Sequence, residues 1–412
     1  GDVHVNGTAA INVTAGLGDG IVVTSTNGNL FVGDTGGGYG GPIDTAGGNG
    51  IKAYITNATS TGNIAVTTSA AGTITGDADN GIYAKTQGLG DVAVVAIGNI
   101  GSGGNGVTKD GIYAEINNQN NLNSLNVDVT ADIVADDDGV EARTDSLVGD
   151  VVVNQLTGSD ITAGDVGIFA IVNQKDSSAG DVLVTQQVGT TINSVNDGIQ
   201  ALTVGEGDVD VNVSGAITST AGNGVKAYND YNTPVTGTDG NVTVTVQGTA
   251  NINSATGYGV LALNGNGTGV GGTNDAVKVD TAGTVEGFLD GIKAINSGTD
   301  GSVKVNMTGG LITQDGADTG AGIRTQITSA SNGNVNEVKI TGGTINAKGD
   351  GVYADTVGTG KLSVTVAAGA VVNGGVGVGD TNGDGIEAHA LGGGNVFVSN
   401  AGTVTGDPAT TA

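Results

Sequence analysis

Along the whole chain, short runs of aliphatic residues alternate with polar ones at a period of two, as in Gly90-Asp91-Val92-Ala93-Val94 and Gly180-Asp181-Val182-Leu183-Val184. That period marks a β-strand with one buried face. No segment sustains the 3.6-residue period of an amphipathic helix. Between the runs lie clusters of Gly, Asn, Asp, Ser and Thr, residues that tolerate turn and left-handed backbone angles. The pattern predicts an all-β chain of short strands joined by tight turns.

The strands recur in a fixed order. A first element reads Gly, then Ile or Val, a variable residue, and usually Ala; it occurs thirteen times between Gly20 and Gly385, at spacings of 26 to 35 residues. About ten residues later comes a Val-x-Val element, as in Gly394-Asn395-Val396-Phe397-Val398, and then a small residue, a spacer and Ile or Val, as in Gly343-Thr344-Ile345. Each period of about thirty residues thus carries three strands and three turns, the sequence signature of a solenoid.

One such period cannot fold alone. Its few inward aliphatic side chains contribute roughly 1.5–3 kcal/mol each, while ordering its backbone costs roughly 1–2 kcal/mol per residue. Stacking closes the gap, because each coil then pairs its backbone groups with the next and like aliphatics form internal columns. The fold expected is a right-handed parallel β-helix (β-solenoid) of about thirteen coils, with the hand set by the preference of parallel crossovers. Residues 1–412 are expected to form a single repetitive domain, a rod on the order of 60 Å long at about 4.8 Å per coil. Longer periods should bulge at turns, at residues 228–240, 373–384 and the Asn-rich 117–123, and binding residues sit on such loops more often than on the scaffold.

Copies such as Gly385-Ile386-Glu387-Ala388, followed by Gly394-Asn395-Val396-Phe397-Val398 and Gly402-Thr403-Val404, resemble the β-helical passenger regions of autotransporter-like bacterial surface proteins and adhesins. The resemblance spans essentially the whole chain. It implies a bacterial cell-surface or extracellular location, outer-membrane anchoring in the full-length protein, and contact with a host or neighbouring cell surface, a glycan or the chain itself.

Composition narrows the partners. Gly contributes 79 of 412 residues, and Asp plus Glu number 41 against 13 Lys plus Arg, a net charge of −28. Nucleic acid and anionic lipid would be repelled. Cysteine is absent, so disulfides, zinc clusters and thiol nucleophiles are excluded. No apolar run is long enough to span a membrane, and the opening Gly1-Asp2-Val3-His4-Val5 has no signal-peptide core. The segment is expected not to be membrane-embedded, and to be a fragment of a longer chain or a stacking subunit, since neither end carries a recognisable cap.

Candidate chemistry centres on acids. Asp19, Asp110, Asp138, Asp197, Asp290, Asp350 and Asp384 all precede the repeating glycine, and Asn49, Asn80 and Asn223 share the column. A turn role accounts for them; calcium, an oxygen-ligated cation, is the alternative cofactor. Stacked unit charges about 4.8 Å apart in water repel by only about 0.9 kcal/mol, so no cation is required. Two segments stand above the column as calcium candidates: Asp136, Asp137 and Asp138, and Asp380, Asn382 and Asp384, which match the opening of an EF-hand loop. Position twelve of that loop is Leu391 instead of Glu. The variable residue of the first element should point outward, giving an outward face with Tyr83, Tyr113, Phe169 and Tyr353. Exposed aromatics suit sugar or protein contacts, although aromatics also simply favour β-surfaces.

No catalytic residues are assigned. The two histidines, His4 and His389, lie far apart in sequence, which argues against a Ser-His-Asp site, and the acids sit at repeated turn positions. The leading expectation is an extracellular structural or adhesive rod without catalysis. The alternatives are a filament subunit stacking end to end, and a polysaccharide-binding or polysaccharide-cleaving spike.

Overall fold

A computed structural model describes residues 1–34, 37–101, 106–174, 179–230, 240–265, 275–316, 320–376 and 383–406. The described residues form strands and turns with no helix, and their parallel strands wind as a right-handed β-solenoid of about twelve turns. Each of the thirteen Gly-Ile elements opens a strand of the first face, from Ile21–Ser25 to Ile386–Ala390. The chain comprises two compact units, Gly1–Asn196 with Gln200–Thr203, and Asp197–Ile199 with Val204–Ala412.

In the N-terminal unit the first face stacks Ile21–Ser25, Ile51–Ile55, Ile82–Thr86, Ile112–Ile116, Val140–Thr144 and Ile168–Val172 in parallel, each residue opposite its equivalent in the next coil. The Val-x-Val strands do the same on the second face, from Val3–Val5 to Val182–Gln186. The third face is in two pieces, Ile11–Val13 to Ile74–Gly76 and Ile133–Ala135 to Thr191–Ser194, joined through single bridges at Ile100. In the C-terminal unit all three faces are continuous, and the third runs from Ala216–Ser219 to Thr403–Thr405.

Period-two alternation puts one side of every strand inside. Ile82, Ile112 and Val140 on the first face and Val92, Leu125 and Val151 on the second are fully buried, each touching its equivalents above and below. These columns let a thirty-residue coil bury apolar surface that it could not bury alone.

The repeating glycine serves a different purpose from the one expected of a turn residue. No left-handed φ is recorded at Gly50, Gly81, Gly111 or Gly139. A Cβ at Gly111 would instead lie 2.2 Å from Ile133 Cγ2 and 2.5 Å from the Gly139 carbonyl oxygen. The inward Ile of the third face occupies the space a side chain would need, so glycine is required by close approach. The Asn-rich bulge at 117–123 is tied down: the Asn121 amide donates to the carbonyls of Gly88 and Gly90 at 3.0 and 2.9 Å. Residues 231–239 and 377–382 of the other two bulges lie outside the described residues.

Candidate functional site

The Asp/Asn column before the repeating glycine forms a hydrogen-bonded ladder along one corner. The Asn49 backbone N–H and side-chain amide both donate to Asp19 Oδ1 at 2.7 Å. Asn80 Nδ2 donates to Asn49 Oδ1 at 2.8 Å. The backbone N–H of Asp110 then donates to Asn80 Oδ1, and that of Asp138 to Asp110 Oδ1, both at 3.3 Å. Val166 N–H closes the run on Asp138 Oδ1 at 3.0 Å. In the C-terminal unit Asn223 repeats the Asn49 arrangement on Asp197, with two bonds of 2.8 Å.

The other corners use the same device. Asn29 N–H donates to Asp2, Asn63 N–H to Asn29 and Asp91 N–H to Asn63. On the third face Asp132 N–H donates to Asn99, and Asp160 N–H to Asp132. A short side chain ending in an oxygen thus reaches one coil along and satisfies a backbone donor at the strand entrance. The turn reading found the residues but not this partner, although the fixed offset of Asp or Asn from ten of the thirteen repeating glycines was the available signal at the first corner.

Within this corner one step differs. Asp110 and Asp138 are both acids and both buried, 5% and 9% exposed. One oxygen from each and one from Glu141 lie within 4.8 Å of one another. Burial is the main cause that pushes the Asp110 carboxyl up to about 7, and the nearby charges of Glu141 and Asp137 add to it. Burial likewise pushes Asp138 up to about 8 against the bond from Val166, with Asp110 and Glu141 reinforcing the rise. Glu141 is also raised, by burial foremost, although Arg143 Nη1 bonds it at 2.8 Å. Asp290, 3% exposed, is raised by burial as well, while Arg324 Nε contacts both its oxygens at 3.1 Å.

The outward residues stack on one another. The rings of Tyr83 and Tyr113, opposite each other in adjacent strands, are 5.2 Å apart with planes 5° from parallel. Lys52 Nζ lies 5.9 Å from the Tyr83 ring, and Tyr113 faces Glu141 in the next strand. Tyr113 Oη donates to Glu115 Oε2 at 2.6 Å, and Lys85 Nζ binds the same oxygen at 2.7 Å. Burial raises Tyr83 to about 12, and burial foremost, with the Glu115 bond, raises Tyr113 as well. Phe169 is half-buried in register with Glu141. In the C-terminal unit the Arg324 guanidinium sits 4.4 Å from the Tyr353 ring, and His389 meets it edge-on at 5.9 Å. Ring faces of Tyr83, Tyr113 and Tyr353 are thus taken up by neighbouring side chains of the ladder.

The calcium candidates regroup. Asp137 and Asp138 come together with Asp165, from the next coil, and not with Asp136. Asp384 joins Asp350 and Glu387. Asp380 and Asn382 lie outside the described residues. Each group brings one oxygen from each of three carboxyl groups within 4.8 Å of one another, and Asp138 Oδ1 and Asp350 Oδ1 already accept backbone N–H groups.

The fold and its corner ladders define the class, a right-handed parallel β-solenoid of stacked three-strand coils. No protein-family model, curated protein or solved structure matches the chain.

Proposed function

We propose that this chain is an extracellular structural and adhesive rod of a bacterial surface protein, a stiff spacer without catalysis. The observation that supports this most is the parallel, in-register pairing that runs from strand to strand through each unit. Every coil is bonded to its neighbours by backbone ladders, aliphatic columns and polar corners, so bending requires many contacts to yield together. Specificity for a cell surface or glycan then resides in side-chain edges of the outward face and in the bulged turns, with the chain anchored to the outer membrane elsewhere in the full-length protein. Electron microscopy of the purified chain over a concentration series is the test. Isolated short rods at every concentration are expected; long fibres that grow with concentration would replace this reading with the filament subunit.

A second reading, a polysaccharide-cleaving spike, draws on the raised carboxyls of Asp110, Asp138 and Glu141, since a general acid must stay protonated near neutral pH. It ranks below the first because two of the three acids are engaged by the backbone of the next coil. Release of reducing ends from a polysaccharide panel, abolished by Glu141→Gln, would establish it.

A further inference from the structure

In the C-terminal unit the strands of the third face, from Ala216–Ser219 to Thr403–Thr405, pair in parallel and in register with no bulge. Each strand points two residues outward, and every one of these is at least partly exposed. One outward column, from Thr218 to Thr405, holds Thr or Asn in every coil except at Glu286. The other alternates Thr284, Thr344 and Thr403 with Leu311 and Val371 and carries no charge.

Glu286 is therefore the single charged side chain among the outward positions of this face. The second face of the same unit carries Asp210, Lys278, Asp280, Lys304, Glu337 and Lys339 at its outward positions. The third face of the N-terminal unit carries Asp44 and Asp160 and is interrupted at Ile100. In a chain of net charge −28, the preference of strands for Thr does not account for one neutral face, because that preference acts on all three faces alike.

The polar groups are also held in place. Asn373 Nδ2 donates to Asn346 Oδ1 at 2.8 Å, and Thr405 Oγ1 donates to Asn373 Oδ1 at 2.6 Å. Branching at Cβ restricts the threonines in addition. Outward groups thus repeat at about 4.8 Å from coil to coil and about 6.6 Å along each strand, over a length of about 29 Å. Ice presents oxygen atoms at closely similar intervals in two directions on its surface planes. Ice also excludes ions, so a charged side chain would keep liquid hydration water between protein and crystal, whereas hydroxyl and amide groups match lattice donors and acceptors. Each such bond gains little against liquid water, so adsorption needs many preordered groups acting together. A soluble polysaccharide fits less well, since sugar rings stack on aromatic side chains and none points outward here.

We propose that the third face of the C-terminal unit is an ice-binding surface. The proposal stands apart from the adhesive reading and uses neither the first face nor the bulged turns. The test is growth of single ice crystals in a solution of the full chain, with the gap between melting and freezing temperatures measured by nanolitre osmometry. Faceted crystals and a measurable gap are expected. Thr344→Lys and Thr313→Lys, which place a charge within the neutral face, should each abolish both, and Thr243→Lys on the second face should leave both unchanged. Far-UV circular dichroism shows which variants are folded; if one of the two fails to fold, the other and the unsubstituted chain still decide it. Rounded crystals without a gap in the unsubstituted chain overturn the proposal, and so does an undiminished gap in folded Thr344→Lys or Thr313→Lys. A dimer that Thr344→Lys dissociates, with ice growth unaffected by the unsubstituted chain, would assign the face to a second copy and overturn it as well.

Discussion

The corner before the repeating glycine is built two ways within the N-terminal unit. From Asp19 to Asn80 an amide follows an acid and then another amide, and each side-chain NH2 donates along the axis at 2.7 or 2.8 Å. From Asp110 to Asp138 an acid follows an acid. Neither side chain can donate when ionised, so only the backbone bonds remain, at 3.3 Å. Geometry is shared and charge is not: an oxygen accepts the next coil's N–H in both parts, but only an amide also donates along the axis. Two buried acids on adjacent coils adjust by holding protons, which is why both are raised.

The largest effect should leave the comparison intact. Adding a methyl at Gly50 or Gly111 drives a Cβ to 2.4 Å from Ile74 Cγ2 or 2.2 Å from Ile133 Cγ2. Gly50→Ala and Gly111→Ala should each cost about 3 kcal/mol in denaturant unfolding, alike in both parts, because overpacking does not depend on charge. Asn49→Ala breaks the amide part by removing both a donor to Asp19 and an acceptor from Asn80. A loss of about 2 kcal/mol is expected, largely independent of pH.

Asn49→Asp converts the amide part into the acid part. It should cost about 1–2 kcal/mol at pH 8, and far less at pH 5, where a buried acid stays protonated. Smallest is Tyr113→Phe, which keeps the ring stack on Tyr83 and removes the bond to Glu115. It should cost about 0.5–1 kcal/mol, read as a small shift in the thermal midpoint.

Much of the fold was legible because a solenoid repeats its evidence. Thirteen copies of Gly-Ile-x-Ala placed the first face, and the Val-x-Val and small-x-Ile elements placed the other two. The break of the third face around Ile100 was hidden, because Gly98-Asn99-Ile100 reads like every other copy. The sites were less legible for one physical reason: their partners are one coil away, about thirty residues along the chain. Asp138 reads as a turn acid until Asp110 lies beneath it. Asp137 and Asp138 read with Asp136 in sequence but gather with Asp165 in space. Tyr83 and Tyr113 read as free aromatic surface, yet their rings face each other.

The Asp110–Asp138 step is a protonation-dependent joint in the corner ladder of the N-terminal unit. Both folded-state carboxyls lie above their ordinary 3.8, at about 7 and about 8. The unfolded chain therefore releases these protons first as pH rises, so the stability this pair contributes is full below about pH 4 and declines until about pH 8. Asp138→Asn recreates the Asp19–Asn49 arrangement, keeps an acceptor for Val166 N–H and supplies a donor to Asp110. The decisive measurement is the thermal midpoint of the chain and of Asp138→Asn from pH 5 to pH 9. The account predicts that the difference between them grows with pH until the variant is more stable by about 1–2 kcal/mol at pH 8. Parallel curves, or a variant that loses stability at every pH, would contradict it.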